Sequence, residues 1–391
     1  MIDKVYSIKN LRAAFDRVKA NRGSAGVDLQ TIAMFEARLE RNLDHLSGTL
    51  RDGTYKPQQV KRVWIPKPGR KEKRPLGIPT VRDRVAQTAL RSVLEPIFER
   101  DFARRSYGFR PGRGCKDALR RVDALLKQGY HFVVDADLKS YFDTIEHEHM
   151  MDRLRTKVSD SAILALVDAY LTQGILDSAQ SWTPDRGTPQ GAVVSPLLSN
   201  IYLDPLDHLM ASSGFQMVRY ADDFVILCRR EADAVRALAR VRQWTESVGL
   251  TLHPEKTRIV DAAVAGGFDF LGYHFERGYR WPRKKSLKQI KDTLRSLTKR
   301  TNGRSLRLTI WLVNRTLVGW FGYFQHSHYT TFGPLDKWLR MRLRSILRRR
   351  RGGRGRGRGN DHHRWPNAYF AELGLFSLSA AHALACQSSR R

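Results

Sequence analysis

The sequence predicts an α+β fold in two textures, an antiparallel sheet packed on helices followed by an all-helical region. Three observations carry that expectation. The runs His131–Asp143 and Arg219–Leu227 are rich in aromatic and β-branched residues and are broken by aspartates, the pattern of strands that end in turns. Apolar residues at helical spacing recur around them, as at Val85, Leu90, Val93, Leu94 and Ile97. Beyond Trp281, strand alternation gives way to helical periodicity.

Charge narrows the choice of partner. The 391 residues hold 69 Lys+Arg against 39 Asp+Glu, a formal net charge of +30, which a compact chain tolerates best beside a polyanion. Nucleic acid is that polyanion. No run approaches the roughly 20 apolar residues of a membrane-spanning helix, and Met1-Ile2-Asp3-Lys4 begins no signal peptide. The expectation is a cytoplasmic protein without a membrane partner. Cys115, Cys228 and Cys386 are isolated, so neither a disulfide framework nor a paired-cysteine zinc site is read. His362-His363 has no cysteine partners and reads as a solvated loop rather than a metal site.

In order, Tyr6 to about Lys19 carries Leu11, Phe15 and Val18 at helical spacing. Arg22–Asp28 is a glycine-bracketed loop, able to bring backbone N–H groups to phosphate or to serve as a plain turn. Phe35–Leu50 reads as one helix and Val60–Pro66 as a strand entering a cation-loaded turn, Lys67–Arg74. A turn of this kind suits a triphosphate, or is a solvated basic hairpin. Arg82–Arg100 is helical. Tyr107–Gly114 punctuates the chain before a helix near Asp117, and from there Arg110 and Arg113 can reach phosphate.

The centre of interest is the aspartates. Asp222 and Asp223 fall at the tip of a predicted hairpin, while Asp135, Asp137 and Asp143 cluster at the end of the upstream strand. Taken alone, adjacent aspartates read equally well as a solvated turn. Three carboxylates gathered into one volume repel unless cations fill it, and two Mg²⁺ ions about 4 Å apart are the usual filling. Gly187-Thr188-Pro189-Gln190-Gly191 opens a helix spanning Ser195–Leu209. Its glycines, Gly191 among them, permit close backbone approach, and Gln190 can donate to phosphate or sugar. Glu231–Val248 is a covering helix.

Beyond Trp281, Leu287, Ile290, Leu294 and Leu297 form a stripe surrounded by basic residues that include Lys288, Lys291 and Arg295. Further helices are predicted over Leu306–Phe324 and Leu335–Leu347. The run Arg348–Gly359, with Arg354, Arg356 and Arg358, cannot bury a core. It is expected to be a disordered RNA-binding linker ahead of a small element from Trp365 to Leu378. There is no internal repeat.

Tyr220-Ala221-Asp222-Asp223 resembles the polymerase signature of reverse transcriptases. Arg74–Thr80, Tyr107–Gly112, Gly187–Gly191, Ser195–Asn200 and Phe270–Tyr273 resemble, in order, blocks of group II intron-encoded reverse transcriptases (maturases), in the form without a C-terminal endonuclease. The resemblance implies a right-hand polymerase. Its parts are an N-terminal extension (1–55) lying over the template, fingers and palm (56–280), a helical thumb/maturase domain (281–350) and a basic linker with a C-terminal element (351–391). It implies Asp137, Asp222 and Asp223 as catalytic ligands of two Mg²⁺ ions, with Mn²⁺ an alternative, and Asp137 is preferred over Asp135 and Asp143 by its spacing to Phe142. Lys67 and Arg74 would contact the incoming nucleotide, Phe142 would exclude a 2′-hydroxyl, and Lys256 would stand near the leaving pyrophosphate. Lys67 sits in a turn one residue longer than the family pattern. The expected partners are an RNA template with a DNA or RNA primer, dNTPs and a group II intron RNA. Alternatives are a free-standing relative used in defence, CRISPR spacer acquisition or DNA repair, and a splicing factor without polymerase chemistry.

Overall fold

The computed structural model describes residues 1–66, 73–177, 180–188 and 191–388. The chain forms two compact units, Met1–Val260 and Asp261–Arg391.

The first unit opens with α1 (Ile2–Tyr6), α2 (Ile8–Ala20), α3 (Ile32–Glu36) and α4 (Leu39–Arg51). The single helix expected over Phe35–Leu50 is thus broken, because Arg38 leaves helical geometry at φ −130°. The α2 stripe is buried as its spacing requires, with Leu11, Ala14, Phe15 and Val18 facing inward. β1 (Val60–Pro66) pairs antiparallel with β2 (Lys73–Ile78), which leads into α5 (Val81–Glu99). The loop Arg22–Asp28 is tied to this helix, Arg84 donating to the Ser24 carbonyl at 2.5 Å.

α6 (Cys115–Lys127) precedes β3 (Phe132–Asp137), and α7 (Tyr141–Thr144), α8 (His147–Arg155) and α9 (Ser161–Leu171) follow. β4 (Ile175–Asp177) and β5 (Gln180–Trp182) are short strands the sequence did not announce. They extend the first hairpin into a sheet of order β2-β1-β4-β5. α10 (Ser195–Ser212) leads into β6 (Gln216–Tyr220) and β7 (Asp223–Cys228), then α11 (Glu231–Ser247) and β8 (Arg258–Asp261). The second sheet has order β6-β7-β3-β8. Its Val134, Ala136, Phe224 and Ile226 pack into one core with the surrounding helices, so the strands' apolar face fixes the register.

The second unit holds a three-stranded antiparallel sheet of β9 (Phe268–Phe270), β10 (Tyr273–Glu276) and β11 (Tyr279–Pro282). Its helices are α12 (Lys284–Leu297), α13 (Leu306–Phe324), α14 (Phe332–Arg350), α15 (Asp361–Arg364), α16 (Asn367–Glu372) and α17 (Leu378–Ser388). Ile290, Leu294, Val313, Leu317, Leu339 and Leu343 supply the core. Asp336 of α14 accepts the backbone N–H groups of Leu378 and Ser379 at 3.1 and 3.0 Å. These are among the first-turn amides that a helix leaves unsatisfied, so α17 is capped by another helix.

Residues 351–359 are not the disordered linker that composition suggests. Gly357 is buried and its N–H donates to Ser345 Oγ at 2.9 Å. Arg348 donates to the Arg354 carbonyl at 2.8 Å and pairs with Asp361, also at 2.8 Å. Composition registers the entropy of the glycines but not the helix surface on which they lie. Among the described residues, no helix is long and apolar enough to cross a membrane.

Candidate active site

The site is built where β3 ends and β7 begins. Antiparallel pairing sets Asp137, the last residue of β3, opposite Asp223, the first of β7. Tyr220 closes against Asp223, so Ala221 and Asp222 form a two-residue turn with Ala221 at φ 58°. Asp222 therefore occupies the tip and Asp223 the strand just below it. Burial, and after it the charge of Asp137, pushes the Asp222 carboxyl above its ordinary pKa.

Lys256 completes this end of the sheet. The His253 N–H donates to the Asp137 carbonyl at 2.7 Å and the Lys139 N–H to the Thr251 carbonyl at 2.9 Å. That backbone pairing carries Lys256 Nζ onto the Asp137 carboxylate. Asp135, two residues back on the same face, pairs with Arg258 at 3.4 Å. Among the described residues, no three His, Cys, Asp or Glu side chains form a preformed metal cage. The donor set nevertheless suits hard divalent cations. It is oxygen-only, self-repelling at Asp137 and Asp222, and already draws an ammonium to Asp137.

Beneath the hairpin lies a group that sequence reasoning missed. Arg219 is fully buried and forks onto Asp207, with Nε–Oδ1 at 2.9 Å and Nη2–Oδ2 at 2.5 Å. It also donates to Asn200 Oδ1 at 3.0 Å and to the Ala221 carbonyl at 2.9 Å. Burial alone would lower the guanidinium pKa, but the Asp207 carboxylate outweighs it and the net shift is upward. An arginine inside a strand run beside two aspartates was the available signal.

The Tyr107–Gly114 segment braces the same hairpin. Tyr107 N–H donates to the Arg219 carbonyl at 2.9 Å, Arg219 N–H to the Arg105 carbonyl at 3.1 Å, and Asn200 to the Gly108 carbonyl at 2.9 Å. The expected phosphate contact by Arg110 is corrected here. Its side chain is buried against Glu99 at 2.8–3.0 Å and donates to the Ala103 and Ser106 carbonyls at 2.6 and 2.9 Å, so its charge and donors are already matched. Arg113 is half-buried, donates to the Arg104 carbonyl at 2.6 Å and lies over the Tyr107 ring.

Phe142 and Asp143 line a 220 Å³ cavity with Val60, Arg62, Gly187 and Thr188. Thr188 N–H donates to the Phe142 carbonyl at 2.7 Å, tying the glycine block to α7. Gly191 lies against β2, where a Cβ would stand 2.5 Å from the Gly77 carbonyl oxygen. Arg74 is exposed on β2, opposite Ile65. Lys67 and Gln190 lie outside the described residues. In the second unit, Lys288 and Arg295 are exposed on α12, Lys291 is half-buried, and Arg354, Arg356 and Arg358 are exposed.

Residues 65–275 match the family "Reverse transcriptase (RNA-dependent DNA polymerase)" and residues 287–365 the family "Group II intron, maturase-specific domain". Protein YkfC of Escherichia coli (strain K12) is 36% identical over 291 residues, covering 64% of this chain and 76% of that protein. The group II intron-encoded protein LtrA of Lactococcus lactis subsp. cremoris is 38% identical over 196 residues, 50% of this chain and 32% of that protein. Among solved structures, a chain of a partial Cas6-RT-Cas1–Cas2 complex is 26% identical with a TM-score of 0.41, covering 63% of this chain and 41% of that one. With paired aspartates at a hairpin tip and both family matches in tandem, the chain belongs to the group II intron reverse transcriptase/maturase family, an RNA-directed DNA polymerase domain followed by a maturase-specific domain.

Proposed function

We propose that the chain extends a primer 3′-hydroxyl with dNTPs on an RNA template, using Asp137, Asp222 and Asp223, and that its second unit binds a group II intron RNA to assist splicing and mobility. One observation carries the catalytic reading. An ammonium, Lys256 Nζ, already sits on Asp137 directly across the sheet from Asp223.

The reaction joins the primer 3′-oxygen to the α-phosphorus of the dNTP, breaks the bond to the β-phosphate bridge and releases pyrophosphate. Asp137, Asp222 and Asp223 would hold two divalent cations, which when bound lower the pKa of the 3′-hydroxyl and neutralise the triphosphate. Lys256 is exposed and long enough to leave Asp137 for the leaving pyrophosphate, where it neutralises charge and donates a proton. Phe142 borders the cavity with an apolar ring and offers a 2′-hydroxyl no polar partner. Arg74, together with Lys67 and Gln190, is assigned to the nucleotide, and Gly191 to the floor of its site. The fingers and palm span residues 56–280, after an N-terminal extension over residues 1–55. The thumb and maturase region spans 281–350, with 351–391 as a basic C-terminal segment. Lys288, Lys291 and Arg295 contact nucleic-acid phosphates.

The test replaces the tip carboxylate and the one just below it. Asp222→Asn with Asp223→Asn should abolish primer extension while RNA binding, measured by filter retention, stays near wild type. Extension at an undiminished rate removes the catalytic assignment.

A further inference from the structure

A second cavity, of 260 Å³, lies within the helical unit and is lined by Arg295, Thr298, Arg300, Trp338, Met341, Arg342, Ser345 and Arg356. Four of these eight residues are arginine and none is acidic; the carboxylate paired with Arg295 comes from Asp292, outside the lining. Two of the arginines are held by the fold. Arg342 donates to Thr298 Oγ1 at 2.6 Å and to the Thr298 and Arg295 carbonyls at 3.1 and 3.2 Å, and Arg300 donates to the Gly355 carbonyl at 3.0 Å. These acceptors are neutral, so they fix the guanidinium groups without cancelling their charge. Two of the four arginines lie over the Trp338 ring, Arg295 at 5.7 Å and Arg342 at 5.4 Å from its centroid. Burial, and after it the charges of Arg295 and Arg300, pull the Arg342 pKa down.

The fourth arginine arrives by way of the Arg/Gly run. At Gly357 a Cβ would fall 2.5 Å from Arg344 Cβ and 3.1 Å from its carbonyl carbon, so a bare backbone is required for the loop to lie flat on α14. That seating brings the neighbouring Arg356 to the cavity. The Arg/Gly run therefore works as a folded strap that sets one exposed arginine at the edge of the cavity.

We propose that this cavity is a binding site for a backbone phosphate of structured RNA, held by Arg300, Arg342 and Arg356 with Arg295 at its rim. Planar guanidinium forks match phosphate oxygens, and several like charges fixed within one polar cavity are relieved by an anion. The proposal rests on the reading of the helical unit as RNA-binding and adds to it one defined phosphate-binding point.

The experiment compares the full chain with an Arg300→Gln/Arg356→Gln variant and a charge-matched Arg100→Gln/Arg120→Gln control. Arg342 is left intact because it ties α14 to Thr298. Each is titrated over a series of salt concentrations with a 5′-hydroxyl RNA stem-loop, and by calorimetry with inorganic pyrophosphate. The expected result is weaker stem-loop binding by the cavity variant alone, with a slope of log K against log salt reduced by about 0.7–0.9 for each phosphate that the protein no longer neutralises. Equal weakening in the variant and the control would reduce the cavity to undirected charge and overturn the proposal. So would pyrophosphate binding that the cavity variant abolishes while its RNA affinity is unchanged, which would make this a small-anion site. If the unsubstituted chain fails to bind the stem-loop, the RNA-binding reading itself falls; if it binds and the cavity variant matches it in affinity and slope, only the present proposal falls.

Discussion

Gly108 and Ala221 are packed so closely that a Cβ on Gly108 would fall 2.2 Å from the Ala221 amide nitrogen and 2.8 Å from the Tyr220 carbonyl carbon. The turn that presents Asp222 is thus seated on bare backbone, and the seat helps to hold Ala221 in the left-handed region, at φ 58°.

Gly108→Ala should therefore displace the hairpin. The expected cost is about 1–3 kcal/mol of stability, as for overpacking elsewhere, with a fall in primer extension larger than the loss of folded protein explains. Urea melts and single-turnover extension on the same preparation check it. An alanine variant with wild-type turnover would show that the hairpin does not depend on this seat.

The pair Arg219–Asp207 supports the turn from the other side. Arg219→Met should destabilise the first unit by about 3–5 kcal/mol, because Asp207 is left charged and buried. Combining it with Asp207→Leu should recover much of that stability but not the activity, since the bond to the Ala221 carbonyl is gone in both. Thermal denaturation and extension assays on the two variants separate the roles.

Lys256→Ala should lower the maximal extension rate by about 10²-fold or more, in the range seen when a general acid is removed, while template–primer affinity stays close to wild type. Lys256→Arg should restore charge and recover only part of the rate. If the alanine variant instead shifts the dNTP KM alone, Lys256 binds the triphosphate without assisting the chemistry.

Phe142→Ala should raise incorporation of ribonucleotides relative to deoxyribonucleotides, read as the ratio of kcat/KM for the two sugars. Some stability should also go, by less than the about 3–5 kcal/mol of a fully buried phenylalanine, because Phe142 is only half-buried. An unchanged ratio would make the ring an ordinary part of the wall.

Period and punctuation make much of the fold readable in advance. The span Leu306–Phe324 emerges as α13 with the same ends, because a long apolar stripe closed by polar residues has few other solutions. The facing of Asp137 and Asp223 likewise follows from two strands whose apolar faces share one core. Arg110 is misread from sequence because a charge in a glycine-rich turn looks solvated until its partner is known. That partner, Glu99, sits eleven residues earlier at the end of a helix. β4 and β5 escape notice because three-residue strands have too few positions to show alternation.

The interactions that set the geometry of the proposed site span long stretches of chain. Asn200 reaches back 92 residues to Gly108, and Lys256 reaches back 119 to Asp137. Pairings so distant in sequence form slowly, since each must first overcome the entropy of closing its loop. During synthesis the β3 carboxylates leave the ribosome well before the segment that delivers their ammonium. A chain arrested ahead of residue 251 therefore carries every proposed catalytic carboxylate and lacks the backbone clasp, Thr251 to Lys139 and His253 to Asp137, that positions Lys256. The proposed polymerase site should accordingly be completed late, once residues 251–256 have emerged and paired with β3.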